Sequence, residues 1–319
     1  MDRFEPGEAG RSANRKLFRD LIDRRLPKGS VKKKVFSRGE LLDLLIDLST
    51  GNPRAFLHLL NRAIDQGFSD RAVNLATQEF VDQELLPYHQ NLSKRLPKYS
   101  AHVRIGLELV RAYIIPEIRV KNHRQTKSGY QSAFFTVPRG MSPNLKLALD
   151  VLSYSGILVN KGTVKIADRQ TGLRYMIHLS LLAAEKAFAS TKLAEGIASI
   201  SLTDYREFSQ NDAQISTYLR ALHESGDQCT TCSAHIPPNA KFCAECGSKM
   251  ETTSIISALL DEPVSALSLS SALKERIRPQ FPVVGDVVQA KREEIMQIKF
   301  IKEVRSRIIK NAADEFISG

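Results

Sequence analysis

Apolar positions recur every three or four residues along most of this chain, the spacing of one buried helix face. In "RSANRKLFRDLIDRRL" (11–26), Leu17, Phe18, Leu21 and Ile22 share a face of an otherwise basic helix, and "PKGSVKKK" (27–34) reads as a loop. The stretch "FSRGELLDLLIDLSTGNPRAFLHLLNRAIDQG" (36–67) predicts two helices. The second opens with Asn52 as N-cap and Pro53 in the first turn, aligns Phe56, Leu59, Leu60 and Ala63, and stops at Gly67. Further helices are expected over about 70–85 and 101–115, the latter ended by Pro116.

The period then changes. "QSAFFTVP" (131–138) and "LRYMIHL" (173–179) are strand-like, and Ser142-Pro143 opens a helix that Gly156 closes. "ILVNKGTVKIA" (157–167) reads as two strands joined at Asn160-Lys161-Gly162, a hairpin signal. A helix followed by a hairpin is the local pattern of a winged helix. Residues 192–226 read as helical connectors, 251–263 as a helix or linker, and 264–319 as an all-helical unit. The expected class is mainly α, multi-domain (α+β).

Charge alters this picture by its distribution. The net charge is +11, but residues 86–140 hold 10 Lys/Arg against 2 Asp/Glu, whereas 251–319 hold 10 of each. A basic stretch of this kind points to phosphate-bearing partners or to an acidic protein surface. No apolar run reaches the length of a membrane span and the start lacks a signal-peptide core, so a cytoplasmic location without membrane contact is expected.

All four cysteines lie in "CTTCSAHIPPNAKFCAECG" (229–247). Two CxxC pairs give the ligand set of a closed tetrahedral S4 site: Cys229, Cys232, Cys243 and Cys246 around structural Zn2+. Two disulfides would need an oxidising compartment, which nothing else indicates. Phe242 is placed to cover the sulfurs. "FCAECGSKM" resembles the small zinc ribbons of bacterial proteins, which bind nucleic acid or protein or act as staples; weak local charge favours the last two roles.

"STGNPRAFLHLL" (49–60) resembles the sensor-2 helix in the lid of AAA-type ATPases of the origin-recognition and signalling branch. The resemblance covers about 10–190 and implies a lid followed by a winged helix, with Arg54 reaching a nucleotide phosphate; an ordinary first-turn arginine is the competing reading. No GxxxxGK[ST] occurs, nor an apolar strand ending in paired acids, so the chain is not expected to be an enzyme by itself. A P-loop ATPase subunit, or a missing N-terminal core, is the implied partner. The histidines form no catalytic set; His178 reads as a satisfied core residue.

The implied modules are an AAA lid-like segment (1–85), a winged-helix-like basic domain (86–190), a connector (191–228), a zinc ribbon (229–250) and a helical domain (251–319). Phosphate contacts are expected from Arg119, Lys121, Arg124, Lys127, Arg139, Lys161 and Lys165, with "RVKNHRQTKSGYQ" (119–131) as a loop that orders on DNA. The last domain resembles a helix-hairpin-helix unit, with Phe300-Ile301-Lys302 where that family carries a glycine-rich turn. The missing glycines and zero net charge favour protein contact or oligomerisation through 251–319. The leading expectation is a DNA-binding, regulatory arm of an AAA-type ATPase; the alternative is a protein-interaction adaptor docking through ribbon and tail.

Overall fold

The computed structural model describes residues 8–26, 29–96, 99–124, 129–166, 171–190, 192–209, 212–224, 231–232, 242–243, 245–248 and 259–318. The chain divides into two compact units, Met1–Ser225 and Gly226–Gly319. It is mostly helical with a small mixed sheet, an α+β architecture.

The first unit begins with α1 (Glu8–Arg25), α2 (Ser30–Ser37) and α3 (Gly39–Leu48). Arg15 and Arg19 stand four residues apart on α1, and Asp43 and Asp47 four apart on α3. The matched spacing lets Arg19 meet Asp43 at 2.8 Å and Arg15 meet Asp47 at 3.1 Å. Beneath these pairs the Phe18 ring meets Phe56 edge-on at 4.9 Å. Phe56 belongs to α4 (Pro53–Asp65), whose N-cap is Asn52: its Oδ1 accepts from the N–H of Arg54 at 2.9 Å and of Ala55 at 3.3 Å. Gly67 ends this segment in the left-handed region at φ +92°, as its sequence position predicts.

Helix α5 (Asp70–Phe80) runs through a π turn (Val81–Leu85) into α6 (Leu86–Arg95), and α7 (Ser100–Glu108) through another (Leu109–Ile114) into α8 (Ile115–Arg124). The helix expected to stop at Pro116 therefore continues. The residue before each proline donates across five residues, Leu86 to Val81 O and Ile115 to Val110 O. That wider turn makes room for the ring of Pro87 or Pro116 against the carbonyl of the preceding turn. Residues 119–124, expected in a loop, are consequently helical.

Strands β1 (Phe134–Pro138), β2 (Leu158–Lys165), β3 (Thr171–Ile177) and β4 (Tyr205–Glu207) order as β2-β3-β1-β4, with α9 (Pro143–Tyr154), α10 (Leu179–Ala184), α11 (Leu193–Ala198) and α12 (Ala213–Glu224) between and after them. β1 and β2 flank β3 antiparallel, and β4 pairs parallel with β1 from inside the expected connector. Asn160-Lys161-Gly162 makes no hairpin turn. It is an irregularity within β2: the register shifts between Asn160 and Thr163, Gly162 sits at φ +85°, and its N–H donates to Asn160 Oδ1 at 2.8 Å. The hairpin is formed instead by β2 with β3.

One continuous core runs from Phe18 to Ile215. The position 85/86, expected as a domain boundary, lies within it. Buried polar groups stitch the same elements. His89 bridges Ser155 Oγ (2.7 Å) and Val103 O (2.9 Å), and Asn122 exchanges bonds with Ser132 and donates to Ala187 O at 3.0 Å.

The second unit contains a short 3-10 turn (Val264–Ala266) and α13 (Ser271–Ile277), α14 (Val284–Gln289), α15 (Arg292–Met296) and α16 (Glu303–Ser318). Its core is separate, built on Val284, Val287, Ile295, Ile301, Ile309 and Ala313. Phe300, in the turn between α15 and α16, adopts φ +69°, so a phenylalanine holds the left-handed conformation there.

Candidate metal centre and basic surface

Cys243 and Cys246 sit on a tight turn. The Cys243 N–H donates to Ser248 O at 2.8 Å, the Gly247 N–H donates to Cys243 O at 2.9 Å, and Gly247 takes φ +71°. A turn of this kind aims two sulfurs at one point. Cys232 joins them: the three sulfurs all lie within 4.8 Å of one another, and Cys232 Sγ is 3.6 Å from Cys243 Sγ. That distance far exceeds an S–S bond of about 2.05 Å and matches the edge of about 3.8 Å of a tetrahedron with metal–sulfur bonds of about 2.3 Å. Three cysteines are thus gathered so that they could hold a metal ion. Cys243 is buried, Cys232 and Cys246 are exposed, and Ser248 Oγ lies 3.1 Å from Cys246 Sγ while donating to Thr231 Oγ1. Cys229, the fourth expected ligand, falls outside the described residues. Phe242 is 59% exposed rather than packed as a lid.

The cations expected on phosphate separate into distinct environments. Arg119 donates to Glu185 O and faces its carboxylate at 3.8 Å, and Arg111 meets the same carboxylate at 2.6 Å. Lys121 pairs with Asp204, and Arg206 reaches Glu117 at 3.1 Å. Arg119 and Lys121 therefore already have anionic partners inside the unit. Glu185 and Asp204 lie more than sixty residues away in sequence, and no local spacing signals these pairs.

Arg139 and Lys165 differ. Both are exposed, and both flank Thr171 at one end of the sheet: Lys165 is its register partner, and the Arg139 N–H donates to Thr171 O at 2.9 Å. The backbones of Lys165, Thr171 and Arg139 thus lie side by side in a row about 10 Å wide, two strand spacings, with Arg139 in the turn just after β1. Lys161 lies at the irregularity in β2, some way from this row, and Arg124 is exposed at the end of α8. Lys127 lies outside the described residues.

Arg54 is exposed in the first turn of α4. Ser49 and Thr50, ahead of the cap, are buried: Ser49 Oγ donates to Ile46 O at 2.6 Å, and Thr50 (φ +55°) accepts from the Leu179 N–H at 2.9 Å. His178 is a core residue, its Nδ1 accepting from the Ser180 N–H at 3.2 Å beside the Phe80 ring. Among the described residues no helix is long and apolar enough to cross a membrane.

No protein-family model, curated protein or solved structure matches the chain.

Proposed function

We propose that this protein is a zinc-stapled, non-catalytic DNA-binding arm that serves an AAA-type ATPase in trans. Zinc would be held by Cys232, Cys243 and Cys246 with Cys229 completing an S4 set, a closed site that stabilises the local fold and leaves no open coordination position. Duplex DNA would lie on the first unit and be gripped through phosphates. Arg54 would face the nucleotide of a partner subunit that carries the P-loop.

The observation that carries the DNA reading is the exposed row of Lys165 and Arg139 at the sheet end, with Arg124 on α8 as a further cation. Relative to the sequence expectation, the reading moves from the 119–131 segment to this row, because Arg119 and Lys121 are engaged within the protein. The test is duplex binding measured across salt. Replacing Arg139 and Lys165 by Ala should weaken binding and flatten its salt dependence, whereas an unchanged salt slope would remove this surface from the account.

A further inference from the structure

The outer face of α16 carries an apolar ridge. Val304 and Ile308 are 60% and 46% exposed and stand four residues apart, so they share one side of α16, and Phe300, 58% exposed, lies in the turn just before that helix. The opposite side, through Ser306, Ile309 and Ala313, is buried in the unit's own core. Cations gather at one end of the ridge. The Arg276 guanidinium stands 4.9 Å from the Phe300 ring and the Lys299 ammonium 5.2 Å from it, while Arg305 Nη1 donates to Phe300 O at 2.6 Å. Of the nearby acids, Glu303 faces Arg292 at 3.7 Å and Glu294 accepts from the Lys291 N–H at 2.9 Å.

We propose that the ridge formed by Phe300, Val304 and Ile308, with Arg276, Lys299 and Arg305, docks an acidic amphipathic helix of a protein partner. Apolar side chains of such a helix cover the ridge, and its flanking carboxylates meet the three cations, the usual mode of helix recognition by an apolar face. Phe300 supports this reading, because a bulky residue held at φ +69° keeps an unfavourable backbone geometry while presenting its ring to solvent. A second copy of this chain fits less well. Two-fold pairing of the ridge about Val304 would set Arg305 beside its own mate, and like charges there oppose association.

The test uses the full chain and a synthetic amphipathic peptide of about 18 residues, with leucine at three- and four-residue spacing and glutamate on its flanks, beside a version with lysine for glutamate. The parent protein should bind the glutamate peptide and not the lysine one. Val304→Asp with Ile308→Asp should weaken binding at least tenfold. Arg276→Glu with Lys299→Glu should transfer preference to the lysine peptide, a gain that misfolding cannot produce. The proposal is overturned if the parent binds neither peptide or both equally. It is also overturned if the Val304/Ile308 variant changes only the oligomeric state, or only duplex DNA binding.

Discussion

Thr50 Oγ1 accepts a hydrogen bond from the backbone N–H of Leu179 at 2.9 Å, joining positions 129 residues apart in the chain. Beside it, Ser180 Oγ donates to Leu48 O at 2.9 Å. These two bonds lock the α3–α4 corner onto the end of the sheet. The "STG" stretch (49–51) is thus a buried structural joint. Thr50→Val keeps the shape but strands the Leu179 N–H, and should cost about 1–3 kcal/mol. Thr50→Ser retains the acceptor and should cost less. All eight tyrosines lie between Tyr88 and Tyr218, so tyrosine fluorescence during urea unfolding reports this unit alone.

His89 makes the same unit sensitive to acid. Its Nε2 faces a carbonyl, Val103 O, which can only accept, so Nε2 carries a proton, and Nδ1 faces Ser155 Oγ. Burial is the main influence and holds its pKa below the ordinary 6.5, with the Val103 bond opposing. A depressed folded pKa means that the unfolded chain takes up the proton first. The stability is complete above pH 6.5 and is lost as pH falls below it, by up to about 1.4 kcal/mol per pH unit. His89→Gln should flatten that dependence in urea titrations between pH 7.5 and 5; a parallel loss in the variant would assign the effect elsewhere.

Metal removal should act on the second unit. The purified chain is expected to carry one zinc per molecule, and Cys243→Ser, at the most buried of the three sulfurs, should abolish it. Excess chelator should alter the far-UV signal while leaving the tyrosine signal of the first unit in place. A chain that folds and melts identically in chelator would contradict a structural site.

Lys121 should prove a stability residue. Its ammonium pairs with Asp204 and also donates to Tyr205 O, tying α8 to the start of β4. Lys121→Ala should destabilise the first unit by about 1–2 kcal/mol, since it removes a partner from a largely buried carboxylate. Its effect on the salt slope of DNA binding should be negligible. A slope reduced as far as by loss of Arg139 would restore the 119–124 segment to the DNA surface.

Much of this was legible in the sequence wherever the signal is local. The Asn52-Pro53 cap, the Gly67 and Gly156 stops, the gathering of Cys232, Cys243 and Cys246 and the core position of His178 all follow from neighbouring residues. What escaped depends on distance. Pro116 reads as a stop unless a π turn precedes it, and nothing in "LVRAYII" marks one. Asn-Lys-Gly suits a turn as well as an irregular strand, and only the pairing of β2 with β3 decides. β4 is three residues long and exists because β1 offers an edge. The basic stretch looked uniform because Glu185 and Asp204 come from far along the chain.

The central claim, that the first unit holds duplex DNA through exposed cations at the sheet end, is tested most directly by the salt slope of binding. Affinity of the parent and of Arg139→Ala/Lys165→Ala for one duplex is measured from about 50 to 200 mM salt. Loss of two phosphate contacts should reduce the slope of log K against log salt by about 1.8. An identical slope in both proteins, or no duplex binding by the parent at the lowest salt, would contradict the claim.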